Sequence, residues 1–320
     1  MILSGLVNAS RREPIRPWAL VTGGAGFIGA HLVESLLAQG LCVRVLDDLS
    51  TGRRDSVDPR ADFVLGAVTD PAALAAAMEG IGEVYHLAAV ASVQRCNEEW
   101  VSTHRINQSA TVSVLATARA ADRVPVVYAS SAAVYGDTGG AVAHEDLAPN
   151  PLSAYGVDKL GSELHARIAS RIHGVPTLGL RFFNVYGPRQ DPYSPYSGVI
   201  SIFARNLAEG QPIVLHGDGG QTRDFVHVSD AVAHLRAAMD LLRSDGTAAG
   251  SVLNVCTGRA TSIRELASML GRLRGAALRI QHGSARPGDI RQSRGAPERA
   301  LAMLGIRAEV TLEVGLASLA

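Results

Sequence analysis

The chain has 320 residues, 47% of them apolar, enough to bury one large core or a large domain with a smaller companion. Lys+Arg and Asp+Glu each total 30, so no long-range field draws the protein to nucleic acid or to an anionic membrane. No apolar run reaches the roughly 18 residues needed to span a bilayer, and three widely spaced cysteines (Cys42, Cys96, Cys256) form neither a disulfide framework nor a zinc pattern, which points to a reducing cytoplasm.

In chain order, residues 1–17 put Arg11, Arg12 and Arg16 after their short apolar start, the reverse of a signal peptide, and read as an extension before the first strand. Buried strands are expected at 18–22, 41–46, 62–65, 84–87, 124–129 and 175–182. Between them lie helical patterns from the first glycine loop to Gln39, closed by Gly40, then at about 71–79, 98–121 and from Tyr155 to about 172. This alternation predicts an α/β fold: a Rossmann-type, doubly wound parallel sheet with helices on both faces. After residue 186 the pattern loosens, with helices near 198–209 and 262–274 and an irregular stretch at 284–295. Residues 18–186, with 224–256 returning to them, are expected to form the dinucleotide domain. Residues 187–223 and 257–320 are expected to form a smaller C-terminal substrate lobe over the carboxyl ends of the strands.

The first strand runs into Gly23-x-x-Gly26-x-x-Gly29, which opens a helix. Such a loop lets the backbone approach a pyrophosphate, whose charge sits at the helix N-terminus. Asp47 closes the next strand 24 positions after Gly23, near the roughly 20 expected for a carboxylate gripping the adenosine ribose. A carboxylate there repels a 2′-phosphate, so NAD is expected over NADP, although Arg53 and Arg54 lie just beyond.

Among 30 cationic side chains there are 29 arginines and one lysine, Lys159. A composition that replaces lysine by arginine wherever charge alone suffices keeps a lysine where a compact ammonium with an adjustable pKa is needed. That lysine falls four residues after Tyr155, so the two share a helix face. An unperturbed tyrosine has a pKa of about 10 and is a poor base at neutral pH; a neighbouring ammonium and a positive nicotinamide ring both favour the phenolate. Ser130-Ser131 end a buried strand, where a hydroxyl can share a hydrogen bond with the tyrosine and a substrate oxygen.

Taken together, Thr22 to Gly29, His86-Leu87-Ala88-Ala89, Ser130 to Gly136 and Tyr155-x-x-x-Lys159 resemble the extended short-chain dehydrogenase/reductases. The likeness is greatest to nucleotide-sugar 4-epimerases of the UDP-galactose 4-epimerase type. It runs from about residue 18 to 300 and includes Arg181 to Arg189, Thr222-Arg223-Asp224-Phe225 and Arg286-Pro287-Gly288-Asp289. The resemblance implies that Gly23, Gly26, Phe27, Ile28 and Gly29 cradle the NAD pyrophosphate and Asp47 its ribose, with Val68, Ala88 and Ala89 beside the cofactor. It implies Ser131, Tyr155 and Lys159 as the catalytic set, the last two also touching NAD. Asn184, Val199, Arg223, Arg286, Asp289 and Ser293 would bind the UDP-sugar. It further implies a homodimer paired through the helices at about 98–121 and 155–172. One departure is Ala67, where the family usually has an aspartate for the adenine amine.

Relatives that are dehydratases or decarboxylases carry acidic residues just after the catalytic serine or threonine, where this chain has Ala132 and Ala133. Neither alanine moves a proton, which leaves reversible oxidation at C4. UDP-glucose/UDP-galactose is the expected substrate pair; Ser293, small where a tyrosine would exclude a 2-acetamido group, leaves room for the N-acetylated pair. Arg189 leaves UDP-glucuronate as an alternative, should it meet a C6 carboxylate rather than serve its own loop. No metal ligand set is expected.

Overall fold

A computed structural model of the chain describes residues 18–193, 198–275, 278–284 and 290–319. The extension at 1–17, Arg286 and Asp289 lie outside the described residues.

Seven parallel strands form the central sheet: β1 (Trp18–Thr22), β2 (Cys42–Asp47), β3 (Asp62–Leu65), β4 (Ile81–His86), β5 (Val126–Ser131), β6 (Thr177–Phe182) and β7 (Ser251–Val255). Their spatial order is β7-β6-β5-β4-β1-β2-β3, so the order reverses between β1 and β4. At such a switch point the loops leave the strand ends in opposite directions and open a crevice, where ligands of doubly wound sheets bind.

The alternation of side chains divides the core. Ala19 and Val21 of β1 face helices α1 (Phe27–Ala38) and α8 (Val228–Ser244), which supply Leu32, Val33 and Leu36, and Leu235, Met239 and Leu242. Leu20 faces the other way, onto α2 (Pro71–Met78), α5 (Ala110–Ala120) and α6 (Ala154–His173). Each fully buried leucine stabilises the fold by about 2 kcal/mol. A third cluster joins α7 (Val199–Ala208) and α9 (Ile263–Leu273) through Ile200, Phe203, Leu266 and Leu270. Three two-stranded ladders serve this region: 213–216 with 280–283, 184–186 with 225–227, and 222–223 with 261–262.

Two boundaries differ from the sequence expectation, each for a long-range reason. β4 begins at Ile81, because Glu83 is carried into the sheet at 1% exposure and meets Arg243 of α8 at 3.1 Å. The helix expected over 98–121 is interrupted: Val93–Glu98 (α3) and Trp100–His104 (α4) precede a widened π turn at Arg105–Ser109, and only then comes α5. Within that turn Asn107 bonds both backbone groups of Val90, accepting at 2.8 Å and donating at 3.1 Å. Gly161 of α6 makes the room, since a Cβ there would overlap Gln108 Oε1.

Candidate active site

The glycine loop is shaped by backbone packing. Gly23 takes a left-handed φ of 72°, and a Cβ on it would sit 2.7 Å from the Ala88 nitrogen, so β1 and the end of β4 close on each other only through glycine. A Cβ on Gly29 would overlap the Gly23 carbonyl oxygen. Gly26 differs: a Cβ there meets only that oxygen, at 3.3 Å, so its outer side is open. Gly26 is the N-cap of α1, and no side chain caps this helix and no acid stands in its first turn. Phe27 and Ile28 form that turn. An uncapped helix start beneath an open glycine presents N–H groups and the positive end of the helix dipole to an anion.

Asp47, at the end of β2, accepts from the Ala25 amide at 3.0 Å and the Leu49 amide at 2.8 Å, which fixes the carboxylate beside the loop. Burial raises its pKa against those two amide bonds. Arg53 is committed to its own Asp55 through two bonds, and Arg54 lies 4.5 Å from the centroid of Phe63, so both guanidinium groups near Asp47 already have partners. Val68 is buried and Ala67 begins the turn that Asp70 closes as N-cap of α2. This donor set, an open anion cradle with a fixed carboxylate 24 positions on, fits the pyrophosphate and ribose of a dinucleotide.

Ser153 caps α6 by accepting from the Gly156 amide at 3.1 Å, so Tyr155 and Lys159 fall in the first turns of a helix that crosses the end of β5. Lys159 Nζ donates to the Ala129 carbonyl at 2.9 Å and lies 5.7 Å from the centroid of the Tyr155 ring. Burial lowers the Lys159 pKa from 10.5 to about 8, while the charges of Asp158 and Glu163 act to raise it. Burial raises Tyr155 to about 12, opposed by a hydrogen bond with the Ser131 side chain. Burial is the largest influence on the phenol and the Lys159 charge is not among those that shift it, so the spacing of the pair does not by itself lower the Tyr155 pKa. Ser131 also accepts from the Ala133 amide at 3.1 Å, which starts the turn at Ala132–Tyr135.

Sequence reasoning missed the polar frame behind these groups. His86 bridges Thr22 Oγ1 at 2.7 Å and Thr111 Oγ1 at 3.1 Å, and burial first, then the Lys159 charge, holds its pKa down at about 3. It is a neutral tie between β1, β4 and α5. Asp158 meets His104 at 2.7 Å. Cys96 is 0% exposed and donates to the Val90 carbonyl at 3.3 Å, and burial raises its pKa, which keeps it a neutral thiol. The one local signal was position: Asp158 adjoins Lys159, and Glu163 follows it by one turn.

On the substrate side, Asn184 is exposed beside Asp224, whose carbonyl accepts its amide at 3.0 Å. Asp224 itself is 0% exposed and accepts from Thr257 N, Thr257 Oγ1, Gly258 N and Gly295 N, clamping three loops at the strand ends. Val199 opens α7, partly buried. Arg223 Nη1 donates to the carbonyls of Thr222 and Ile290, both at 2.7 Å, so the arginine is tied to the segment that carries Ser293. That segment is pinned at both ends, by Thr222 N to Arg291 O at 3.0 Å and Ala143 N to Arg294 O at 2.9 Å. Arg189, at a left-handed φ of 66°, forks onto Glu34 of α1 and donates to His31 Nδ1 at 2.8 Å. It serves its loop.

This geometry agrees with what the chain is similar to. A UDP-glucose 4-epimerase of Mycolicibacterium smegmatis is 36% identical over 306 residues, covering 93% of this chain and 96% of the relative. The structure of a Thermotoga maritima UDP-glucose 4-epimerase with UDP-glucose superposes with a TM-score of 0.89 at 32% identity, covering 94% of this chain and 96% of that one. A Thermus thermophilus UDP-glucose 4-epimerase in complex with NAD superposes with a TM-score of 0.86 at 34% identity and the same coverage. Residues 19–256 match the NAD dependent epimerase/dehydratase family, and the chain belongs to that family.

Proposed function

We propose that this chain is an NAD-dependent UDP-hexose 4-epimerase that interconverts UDP-glucose and UDP-galactose through a transient 4-keto sugar. The observation that carries the reading is the Tyr155–Lys159 face of α6 beside Ser131, followed by a turn whose first residues are alanines. Ala132 and Ala133 cannot move a proton, so Tyr155 is the group placed to do so, and the site is suited to oxidise and reduce a single carbon.

When bound, NAD supplies the two-electron acceptor that takes the C4 hydrogen and gives it back. Gly23, Gly26, Phe27, Ile28 and Gly29 would hold its pyrophosphate, Asp47 its adenosine ribose, and Val68, Ala88 and Ala89 its flanks. Tyr155 takes the proton of the C4 hydroxyl and returns it after the sugar has turned. Ser131 orients that hydroxyl. Lys159, held by the Ala129 carbonyl at 2.9 Å, would stabilise the phenolate and would hold the nicotinamide ribose. Asn184, Val199, Arg223, Arg286, Asp289 and Ser293 would bind the sugar nucleotide. In this scheme residues 18–186 and 224–256 hold the cofactor and 187–223 and 257–320 the substrate. Ser293 is small enough to admit a 2-acetamido group, while the engagement of Arg189 with Glu34 removes the reason to favour a C6 carboxylate.

A homodimer is part of the proposal. Val157, Leu164, Ile168 and Ile172 form an exposed apolar stripe along α6, beside exposed Trp100, Val101 and Val112. A second copy that laid the same two helices antiparallel against them would bury this stripe. No described helix is long and apolar enough to cross a membrane; the three unpaired cysteines suit a cytoplasmic setting.

Incubating the purified chain with UDP-glucose and no added cofactor tests the reading. UDP-galactose is the expected product. Net accumulation of NADH would make it a dehydrogenase, and no turnover of UDP-glucose, UDP-GlcNAc or UDP-glucuronate would refute the enzyme reading.

A further inference from the structure

The catalytic helix and the segment carrying Ser293 are far apart in the chain, and one buried polar chain connects them. Glu163 follows Lys159 by one turn of α6. Its Oε1 accepts from Ser130 Oγ and from Arg181 Nε at 2.8 Å, and its Oε2 accepts from Arg181 Nη2 at 2.6 Å. The Arg181 guanidinium lies 4.8 Å from the centroid of Tyr135, the last residue of the turn that starts after Ser131. Tyr135 donates to Asn254 Oδ1 of β7 at 2.7 Å. Asn254 Nδ2 in turn donates to the carbonyls of Ala143 at 2.9 Å and Ala296 at 3.3 Å. Ala143 is bonded on either side of Gly295, two residues after Ser293: its N–H donates to Arg294 O and its carbonyl accepts from Ala296 N, both at 2.9 Å.

All four linking side chains are at most 7% exposed: Glu163, Arg181, Tyr135 and Asn254. Stability alone is a poor reason for such a set, since a buried ion pair replaced by well-packed apolar residues is often no less stable. What directional bonds add is a fixed register between elements that apolar contacts would let slide. The set borders the site at its two ends. Ser130, bonded to Glu163, adjoins Ser131, and Ala143 and Ala296, bonded to Asn254, hold Gly295 two residues beyond Ser293.

We propose that Glu163, Arg181, Tyr135 and Asn254 are positioning residues that hold the Tyr155–Lys159 face of α6 in register with the 290–296 segment. The kinetic consequence rests on the epimerase reading. A 4-keto sugar that turns between half-reactions presents either face of C4 to the same Tyr155, so the distance from that hydroxyl to the pocket wall has to stay constant. The structural consequence stands without that reading.

The test is Tyr135→Phe in the full chain, which removes one hydroxyl and keeps the ring on Arg181. Amide hydrogen exchange at Ala143 and Ala296 is expected to speed up by about tenfold, the equivalent of one buried hydrogen bond, with β1 to β4 unchanged. Turnover of UDP-glucose falls by a similar factor. Glu163→Gln, which removes a charge that raises the Lys159 pKa, moves the alkaline limb of the turnover profile to lower pH; a loss of packing alone would lower turnover without moving the limb. Unchanged exchange at Ala143 and Ala296 in Tyr135→Phe, or a uniform rise across the whole sheet, overturns the proposal whatever the kinetics show. A wild-type chain inert on every UDP-sugar refutes the epimerase reading instead, and the exchange measurement still decides the positioning chain.

Discussion

Between β1 and α1 the protein works by leaving groups out: glycines at 23, 26 and 29, and a helix start that no side chain caps. Along α6 it works by burying groups that water would hold more comfortably: a phenol pushed up to about 12 by burial and an ammonium pushed down to about 8 by the same cause. The first region recognises an anion through backbone geometry that only glycine allows. The second stores an electrostatic cost in side chains whose worth depends on partners from other strands. Recognition by backbone is cheap and local, and catalysis by buried charge is costly and distributed.

Variants on the two sides should fail in different ways. The largest effect is expected from Tyr155→Phe, which removes the proton-transfer group: turnover falls by about 10²–10⁴-fold. NAD affinity, measured by calorimetry, stays within a few-fold, because the glycine loop is untouched. Activity near the wild-type level would remove Tyr155 from the mechanism.

Lys159→Met comes next and separates stability from activity. Turnover should drop by about a hundredfold, while the fold gains about 1–3 kcal/mol at pH 7 in denaturant titration, because the cost of burying an ammonium disappears. The sign can be followed with pH. The native lysine loses its proton as pH rises through about 8, whereas the unfolded one keeps it to 10.5. Between those values the unfolded chain binds more protons, so stability of the wild type climbs with pH just where its turnover falls. A wild-type profile flat from pH 7 to 10 in both quantities would contradict this account of Lys159.

On the glycine side, two substitutions of the same size should diverge. Gly29→Ala drives a Cβ into the Gly23 carbonyl and is expected to destabilise the fold by about 2–3 kcal/mol. Gly26→Ala asks the Gly23 carbonyl, 3.3 Å away, to give by only a few tenths of an ångström, yet fills the cradle above α1; it should destabilise the fold much less than Gly29→Ala while NAD affinity drops by about tenfold or more. Equal effects of the two on stability would mean that Gly26 does not face a ligand. The smallest effect is Arg189→Ala. The Glu34 contact is a partly exposed ion pair, so stability should change by less than about 1 kcal/mol, and turnover of UDP-glucose should stay within about twofold.

The same contrast explains what could be read from the sequence. The glycine loop, Asp47, and the Tyr155–Lys159 pair were legible because their chemistry lies within one turn or one strand–helix unit. The alternation of strands and helices was enough for the sheet. The Glu163–Arg181 pair was not legible: its members are 18 residues apart, on a helix and a strand, and neither breaks the local pattern. The break in the helix over 98–121 depends on Asn107 reaching Val90, and the early start of β4 depends on Arg243 reaching Glu83. Arg189 was readable as a cation near the site, but its fork onto Glu34 was visible only in three dimensions.

The central claim is that one tyrosine and one bound cofactor oxidise and reduce the same carbon. UDP-glucose deuterated at C4 tests it most directly. The account predicts UDP-galactose that keeps the deuterium at C4, with none lost to water and no reduced cofactor accumulating. Release of the label to solvent, or its appearance in free reduced cofactor, would contradict it.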